Sequence, residues 1–140
     1  MAIDSYKIDS RDGVLFVTFQ KGTTIHPDLL IKAIDCRYSI DRTCQRNSVW
    51  DFRGCPPSED FGYDAMKRVV NYIDIHPPAK WDLRQAILVD AGVQYGLSRM
   101  YQILANDFST DIAIFFDPAK AVKWVTDKKD ANLSFRYPSD

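Results

Sequence analysis

Apolar and polar residues near the start of the chain mark two extended segments joined by a tight turn. The segments run from Tyr6 to Asp9 and from Val14 to Phe19. Asp12-Gly13 lies between them and supplies the positive backbone angles that a short hairpin requires. The pattern therefore predicts two antiparallel strands.

Four later segments carry apolar residues at the spacing of an α-helix, which gives each of them one apolar face. The first begins near Pro27, the second has Ser58 at its predicted N-cap, and the last begins at Asp117-Pro118. The apolar faces consist of Leu30, Ala33 and Ile34 in the first helix, Phe61, Ala65, Met66, Val69, Val70 and Ile73 in the second, Leu97, Met100, Tyr101 and Leu104 in the third, and Ala121, Trp124 and Val125 in the fourth.

Three short apolar runs between these helices are typical of buried strands. They span Ser48 to Phe52, Ala86 to Val89 and Ile112 to Phe116. Because strands and helices alternate, right-handed crossovers should make these strands parallel within one sheet. The sequence therefore predicts an α/β fold with a mixed, mainly parallel five-stranded sheet, an N-terminal antiparallel hairpin and about four helices. We expect one domain over residues 1–126 and a polar tail over residues 127–140.

Composition and charge narrow the range of partners. The chain has 140 residues, which suits one domain, and its net charge of -1 gives it no general attraction to nucleic acid. No stretch approaches the roughly 20 apolar residues that span a bilayer, and the first residues lack the pattern of a signal peptide. We therefore expect a cytoplasmic protein with no membrane span and no nucleic-acid partner.

Candidate metal and thiol chemistry is weak. Cys36, Cys44 and Cys55 are widely spaced, which predicts free thiols rather than disulfides. A nearby arginine and helix start would lower the pKa of the Cys55 thiol, but no histidine is placed to act as its base, so an unreactive turn cysteine is favoured.

An aspartate lies near the end of each of three predicted strands, where the three side chains are candidate ligands for a cation. Asp51, Asp90 and Asp117 could together hold Mg²⁺, because hard cations prefer oxygen ligands. Each also has a local explanation in a strand, a glycine turn or a helix cap. The chain shows no paired nucleophile and base and no glycine-rich phosphate loop. We therefore expect no metal, no other cofactor and no catalytic residues.

The turn after the third strand is the strongest candidate for a binding site. Parallel strands end there, and α/β proteins commonly bind ligands at that edge of the sheet. Two arginines should flank the edge and could hold a phosphate or a carboxylate, although most arginines are simply exposed. The candidate partner-binding or ligand-binding residues are Arg53, Ser58, Asp60, Tyr95 and Arg99.

Three pieces of the chain resemble the SpoIIAA-like, STAS-type family of bacterial proteins. They are Trp50-Asp51-Phe52-Arg53-Gly54, Tyr95-Gly96-Leu97-Ser98-Arg99-Met100-Tyr101-Gln102, and Phe115-Phe116-Asp117 with Ala121 and Trp124. The resemblance implies the fold of anti-sigma-factor antagonists and a non-catalytic, regulatory role in protein binding. In those antagonists a serine within an Asp-Ser-Ser-Gly pattern is phosphorylated at the start of the second helix.

Asp60 occupies that serine position when Glu59-Asp60-Phe61-Gly62 is aligned with the family pattern. Two interpretations are open. The carboxylate could imitate a phosphoserine for a protein partner, or it could be an acid that stabilises a helix N-terminus by up to about 1 kcal/mol.

An alternative function follows from the lipid-binding side of the same resemblance. A gap among Tyr95, Trp81 and Phe61 would admit a small apolar ligand or a lipid. The tail residues Leu133, Phe135 and Tyr137 are more apolar than a free end requires, so we also expect a homodimer.

Overall fold

The computed structural model describes residues 5–43, 45–76 and 83–127 and confirms the predicted α/β fold. Cys44, Trp81 and the tail residues Leu133, Phe135 and Tyr137 lie outside these ranges. In chain order, the elements are β1 (Tyr6–Arg11), β2 (Val14–Phe19), α1 (Pro27–Ile40), β3 (Ser48–Asp51), α2 (Tyr63–Asp74), β4 (Arg84–Leu88), α3 (Val93–Leu104), β5 (Asp111–Phe115) and α4 (Pro118–Thr126).

The five strands lie in the sheet in the order in which they occur in the chain. β1 and β2 are antiparallel and are joined at Asp12 and Gly13, both of which have the positive φ that the turn requires. The remaining neighbours are parallel, and Val17, Trp50 and Ile87 are aligned side by side across them.

The helices are divided unequally between the two faces of the sheet. Along the chain, β3, β4 and β5 are each added to the sheet beside the strand before them, so all three crossovers move across the sheet in the same direction. Because such crossovers are right-handed, their helices lie on the same face of the sheet. α1, α2 and α3 accordingly pack on the face that carries Trp50 and Ile87. α4 follows the last described strand and packs on the opposite face. We call these surfaces the three-helix face and the α4 face.

The α4 face has a compact core around one indole ring. Trp124 is 7% exposed and lies 5.6 Å from the ring of Phe115 between centroids, which confirms its predicted burial. Ala121 and Val125 are buried beside it. Asp117 accepts a hydrogen bond of 2.9 Å from the backbone N–H of Ala119, so the predicted cap of this helix is also confirmed.

The start of α2 differs from its prediction. The helix begins at Tyr63 with Gly62 at the N-cap, so the prediction that Ser58 caps it is wrong. The backbone N–H of Ser58 donates instead to the carbonyl of Ile25, next to a β-bridge between Ile25 and Pro57. A turn follows, in which the N–H of Phe61 donates to the carbonyl of Ser58 at 3.0 Å, and the helix begins about one turn later than predicted. None of the described helices combines the length and the apolar character needed to cross a bilayer.

Candidate functional site

The ends of β2 to β5 and the loops that follow them form the carboxyl edge of the sheet. Asp51, the last residue of β3, is engaged by Arg53 through two hydrogen bonds from the guanidinium, of 3.0 Å from Nε and 2.9 Å from Nη2. The backbone N–H of Arg53 donates to the same carboxylate at 3.0 Å. The hydrogen bond to Asp51 raises the pKa of Arg53. This arginine is therefore held in place at the edge by its own strand.

Gln94 holds the two central loops of the carboxyl edge together. Its side-chain oxygen accepts from the N–H of Asp90 at 2.7 Å, and its Nε2 donates to the carbonyls of Phe52 at 3.0 Å and Cys55 at 2.7 Å. Asp90 in turn accepts from the N–H of Gly54 at 2.8 Å. Sequence reasoning did not select Gln94, because one glutamine in the first turn of a helix has no distinctive pattern.

The three strand-end acids do not converge on one point. Asp51 bonds Arg53, Asp90 bonds the N–H of Gly54, and Asp117 caps α4. Within residues 5–43, 45–76 and 83–127, no group of three histidine, cysteine, aspartate or glutamate side chains is arranged to hold a metal ion.

Ser58 and Asp60 form a small hydroxyl–carboxylate pair in the loop before α2. The Ser58 hydroxyl donates to Asp60 Oδ1 at 2.5 Å, and this hydrogen bond lowers the pKa of Asp60. Asp60 lies two residues before the N-cap Gly62, and the acid in the first turn of the helix is Asp64. Asp60 is therefore an exposed loop carboxylate held by its neighbour, not a residue of the first helical turn.

The third helix separates the last two predicted site residues. Tyr95 is in its first turn and packs against Phe116 at the carboxyl edge, with ring centroids 5.7 Å apart. Arg99 lies four residues further on, about 6 Å along the helix axis. It hydrogen-bonds Gln102, whose Nε2 donates to the carbonyl of Ile112 near the start of β5. The expectation that Arg99 flanks the carboxyl edge is wrong, because α3 carries it away.

Cys55 is enclosed in the loop after β3. It is 1% exposed, and its Sγ donates to the carbonyl of Gln20 at 3.3 Å. Burial raises the pKa of the thiol above its ordinary value. A thiol that resists ionisation is a poor nucleophile, which agrees with the interpretation of an unreactive turn cysteine.

A cavity of about 150 Å³ lies on the three-helix face, between the sheet and the helices. Its apolar lining includes Trp50 and Ile87 from the sheet, Ile34 from α1, Val69 from α2 and Leu97 from α3. The cavity is much larger than the space that one water molecule needs. An apolar cavity of about 150 Å³ in another protein is known to hold benzene.

One end of the cavity is polar. The edge of the sheet at which β3, β4 and β5 begin, here the amino edge, contributes Ser48, Gln85 and Thr110 to the lining, and Arg37 and Arg46 lie there as well. The Arg37 guanidinium is buried and donates to Asp41 at 3.2 Å and to the carbonyl of Arg46 at 2.8 Å.

The sequence contained one indication of this polar end. Arg37 follows Leu30, Ala33 and Ile34 at helical spacing, so it continues the apolar face of α1 with a charged residue. Phe61 lines the cavity as expected, whereas Tyr95 is not among its lining residues.

Comparisons with protein-family models, with curated proteins and with solved structures find no match for this chain.

Proposed function

We propose that this protein binds one small, largely apolar molecule in the cavity of the three-helix face. The observation that carries the proposal is the cavity itself, with about 150 Å³ of space beneath three helices and a mainly apolar lining. The function requires no catalytic residue and no cofactor, in keeping with the expectation of a non-catalytic protein.

The energetics favour an apolar occupant. Side chains around an unfilled space lack contact partners on one side, and an apolar molecule restores those contacts. Each methylene transferred from water contributes about 0.8 kcal/mol. The lining residues Trp50, Ile87 and Val69 are already ordered and buried in the free protein. Binding therefore needs little reorganisation of the protein, which would otherwise reduce the affinity.

A homologous series of linear alcohols tests this proposal by isothermal titration calorimetry on the full chain. From 1-butanol to 1-octanol, the affinity should rise about fourfold for each added methylene while the chain still fits. Val69→Phe fills the cavity and should abolish the rise. Val122→Phe makes the same change on the exposed side of α4 and should leave it intact. Equal affinities for wild type and Val69→Phe would reject the cavity as the binding site.

We also propose a second function, a protein contact at the carboxyl edge. It is supported by Asp60, an exposed carboxylate that the Ser58 hydroxyl holds in its charged form. When Gly62 is aligned with the glycine of the STAS-type antagonists that the chain resembles, Asp60 corresponds to their phosphorylated serine, and Arg53 lies in the preceding loop. A homodimer and a cytoplasmic location stay predictions.

Affinity capture with matched variants tests this second function. A partner that recognises a phosphoserine-like charge should be captured by the wild type and lost with Asp60→Asn. Glu59→Gln removes the adjacent charge and should retain the partner. If both variants retain it, Asp60 does not imitate a phosphate.

A further inference from the structure

The polar lining of the cavity is concentrated at the amino edge, and this asymmetry bears on which molecule fits. Ser48 is the first residue of β3 and Gln85 the second residue of β4, and the two are register partners in neighbouring parallel strands. Their side chains therefore lie side by side, about 4.8 Å apart along the hydrogen-bonding direction. Thr110 immediately precedes β5 at the same edge.

The hydrogen bonds already made at this edge leave donors for a ligand. Gln85 Oε1 accepts from the Tyr101 hydroxyl at 3.0 Å, which leaves the Gln85 Nε2 group as a donor. Ser48 Oγ accepts from the indole N–H of Trp50 at 3.1 Å, which leaves the Ser48 hydroxyl proton as a donor. Neither donor is bonded to another of the described residues. A ligand group here should therefore accept hydrogen bonds.

Charge at the same edge favours an anion. Arg37 is neutralised by Asp41, whose carboxylate also accepts from the N–H groups of Gln45 and Arg46. The Arg46 guanidinium donates to the Ser10 hydroxyl at 2.9 Å, and within the described ranges no carboxylate pairs with it. Arg84 also lines the cavity, and its Nη1 donates to the carbonyls of Trp124 at 2.6 Å and Asp127 at 2.8 Å. The described lining therefore contains three arginines and no carboxylate, and Asp41 pairs with Arg37.

The opposite end of the cavity is suited to an apolar chain. Pro57, Phe61 and Val89 line it beneath the carboxyl edge. From Gln85 to Val89 the strand direction advances about 13 Å. An elongated molecule can therefore place one end among the donors and the other among these apolar side chains.

Given the proposed cavity function, on which this inference rests, we infer that the ligand is an unbranched monocarboxylic acid of medium chain length. Its carboxylate lies at the amino edge near Gln85, Ser48 and Arg46, and its chain runs beneath α2 and α3 toward the carboxyl edge. Arg46 and Gln85 determine the specificity for the head group, and the apolar lining supplies most of the affinity.

Three probes with the same chain and different head groups test the assignment: octanoate, 1-octanol and octylammonium, each titrated calorimetrically into the full chain at neutral pH. Octanoate should bind at least about tenfold more tightly than octylammonium, because the amino edge offers hydrogen-bond donors and positive charge, which a carboxylate can accept from and an ammonium group cannot. 1-Octanol reports on the apolar cavity alone.

Variants at the head-group end make the test specific. Gln85→Glu is nearly isosteric, keeps an acceptor for Tyr101 and places a negative charge beside the ligand head. It should lower the affinity for octanoate about tenfold or more and change the affinity for 1-octanol by no more than about twofold. Arg46→Met should also lower the affinity for octanoate. Arg42→Met removes an exposed arginine of the same loop and should have little effect.

The possible outcomes distinguish a failure of the carboxylate assignment from a failure of the proposed cavity function. If 1-octanol binds and octanoate binds no more tightly than octylammonium, the carboxylate assignment is overturned and the cavity function stands. If Gln85→Glu weakens octanoate and 1-octanol equally, the amino edge does not select the head group and the assignment also fails. If none of the three probes binds, both the assignment and the cavity function are rejected.

Discussion

The α4 face of the sheet contains several small residues beside its aromatic rings, whereas the three-helix face is built mainly from larger aliphatic and aromatic side chains around a cavity. Ala86, Ala113 and Ala121 belong to the α4 core, and these small side chains let one helix lie close to the sheet. On the other face, Ile87 and Trp50 lie opposite three helices that must also pack against one another. One strand, β4, supplies both surfaces through alternate residues.

This difference separates the two tasks of the fold. A close-packed layer stabilises the protein, because each lost methylene there creates a void. A layer that leaves a cavity between the sheet and its helices loses some packing energy and gains a place for a ligand. The buried Arg37–Asp41 pair makes the amino edge of that space polar. Removal of either partner would leave the other as an unpaired buried charge, which is strongly destabilising.

The largest expected effect is on the α4 face. Trp124→Ala should lower the free energy of unfolding by about 3 to 5 kcal/mol, because a large buried ring is lost from a close-packed layer. Urea denaturation measures the change, and Val122→Ala on the exposed side of the same helix is the control. Among the described residues the Trp124 indole N–H has no hydrogen-bond partner, so Trp124→Phe should be far less damaging. A change below about 1 kcal/mol for Trp124→Ala would contradict the assigned role.

Two neighbouring residues of β4 allow a direct comparison of the faces. Leu88→Phe adds volume to the α4 layer and should destabilise the protein by about 1 to 3 kcal/mol through overpacking. Ile87→Phe makes the same kind of change toward the cavity and should cost less than about 1 kcal/mol, since space is present. If thermal and urea denaturation show that both variants lose the same free energy of unfolding, the two faces are equally packed.

The Ser58–Asp60 pair at the carboxyl edge belongs to neither hydrophobic core, so changes there should have the smallest effects. Ser58→Ala removes the hydrogen bond that lowers the Asp60 pKa, so this pKa should rise toward the ordinary aspartate value. The Asp60 carboxyl resonance, titrated by NMR in both proteins, measures the shift. An unchanged Asp60 pKa would mean that the hydroxyl is not its partner in solution.

The same pair predicts a weak pH dependence of stability. Because the folded-state pKa of Asp60 is lowered, its contribution is present above the unfolded-state pKa and disappears as the pH falls through the folded-state value. The difference between wild type and Ser58→Ala should therefore vanish in acid. Solvent exposure of Asp60 keeps the contribution small.

Much of the fold could be predicted because its causes are local. Asp12-Gly13 specifies the hairpin turn through its backbone angles, and Asp117-Pro118 specifies the start of α4 through a cap and a fixed φ. The apolar runs gave the right strands, because a buried strand needs only a few consecutive apolar residues. The end of a helix was harder to place, since α1 continues to Ile40 although its apolar pattern fades after Ile34.

The candidate site was predicted less well, because it depends on residues far apart in the chain. The sequence by itself determined the elements and their order, since these follow from neighbouring side chains at periods of 2 and 3.6, but it did not determine where every helix begins and ends. Only the tertiary structure decided that Ser58 pairs with Ile25, that Arg99 leaves the carboxyl edge, and that Arg37 reaches the amino end of a cavity. The volume of that cavity is what remains after side chains from several distant elements have packed, and no local pattern records it.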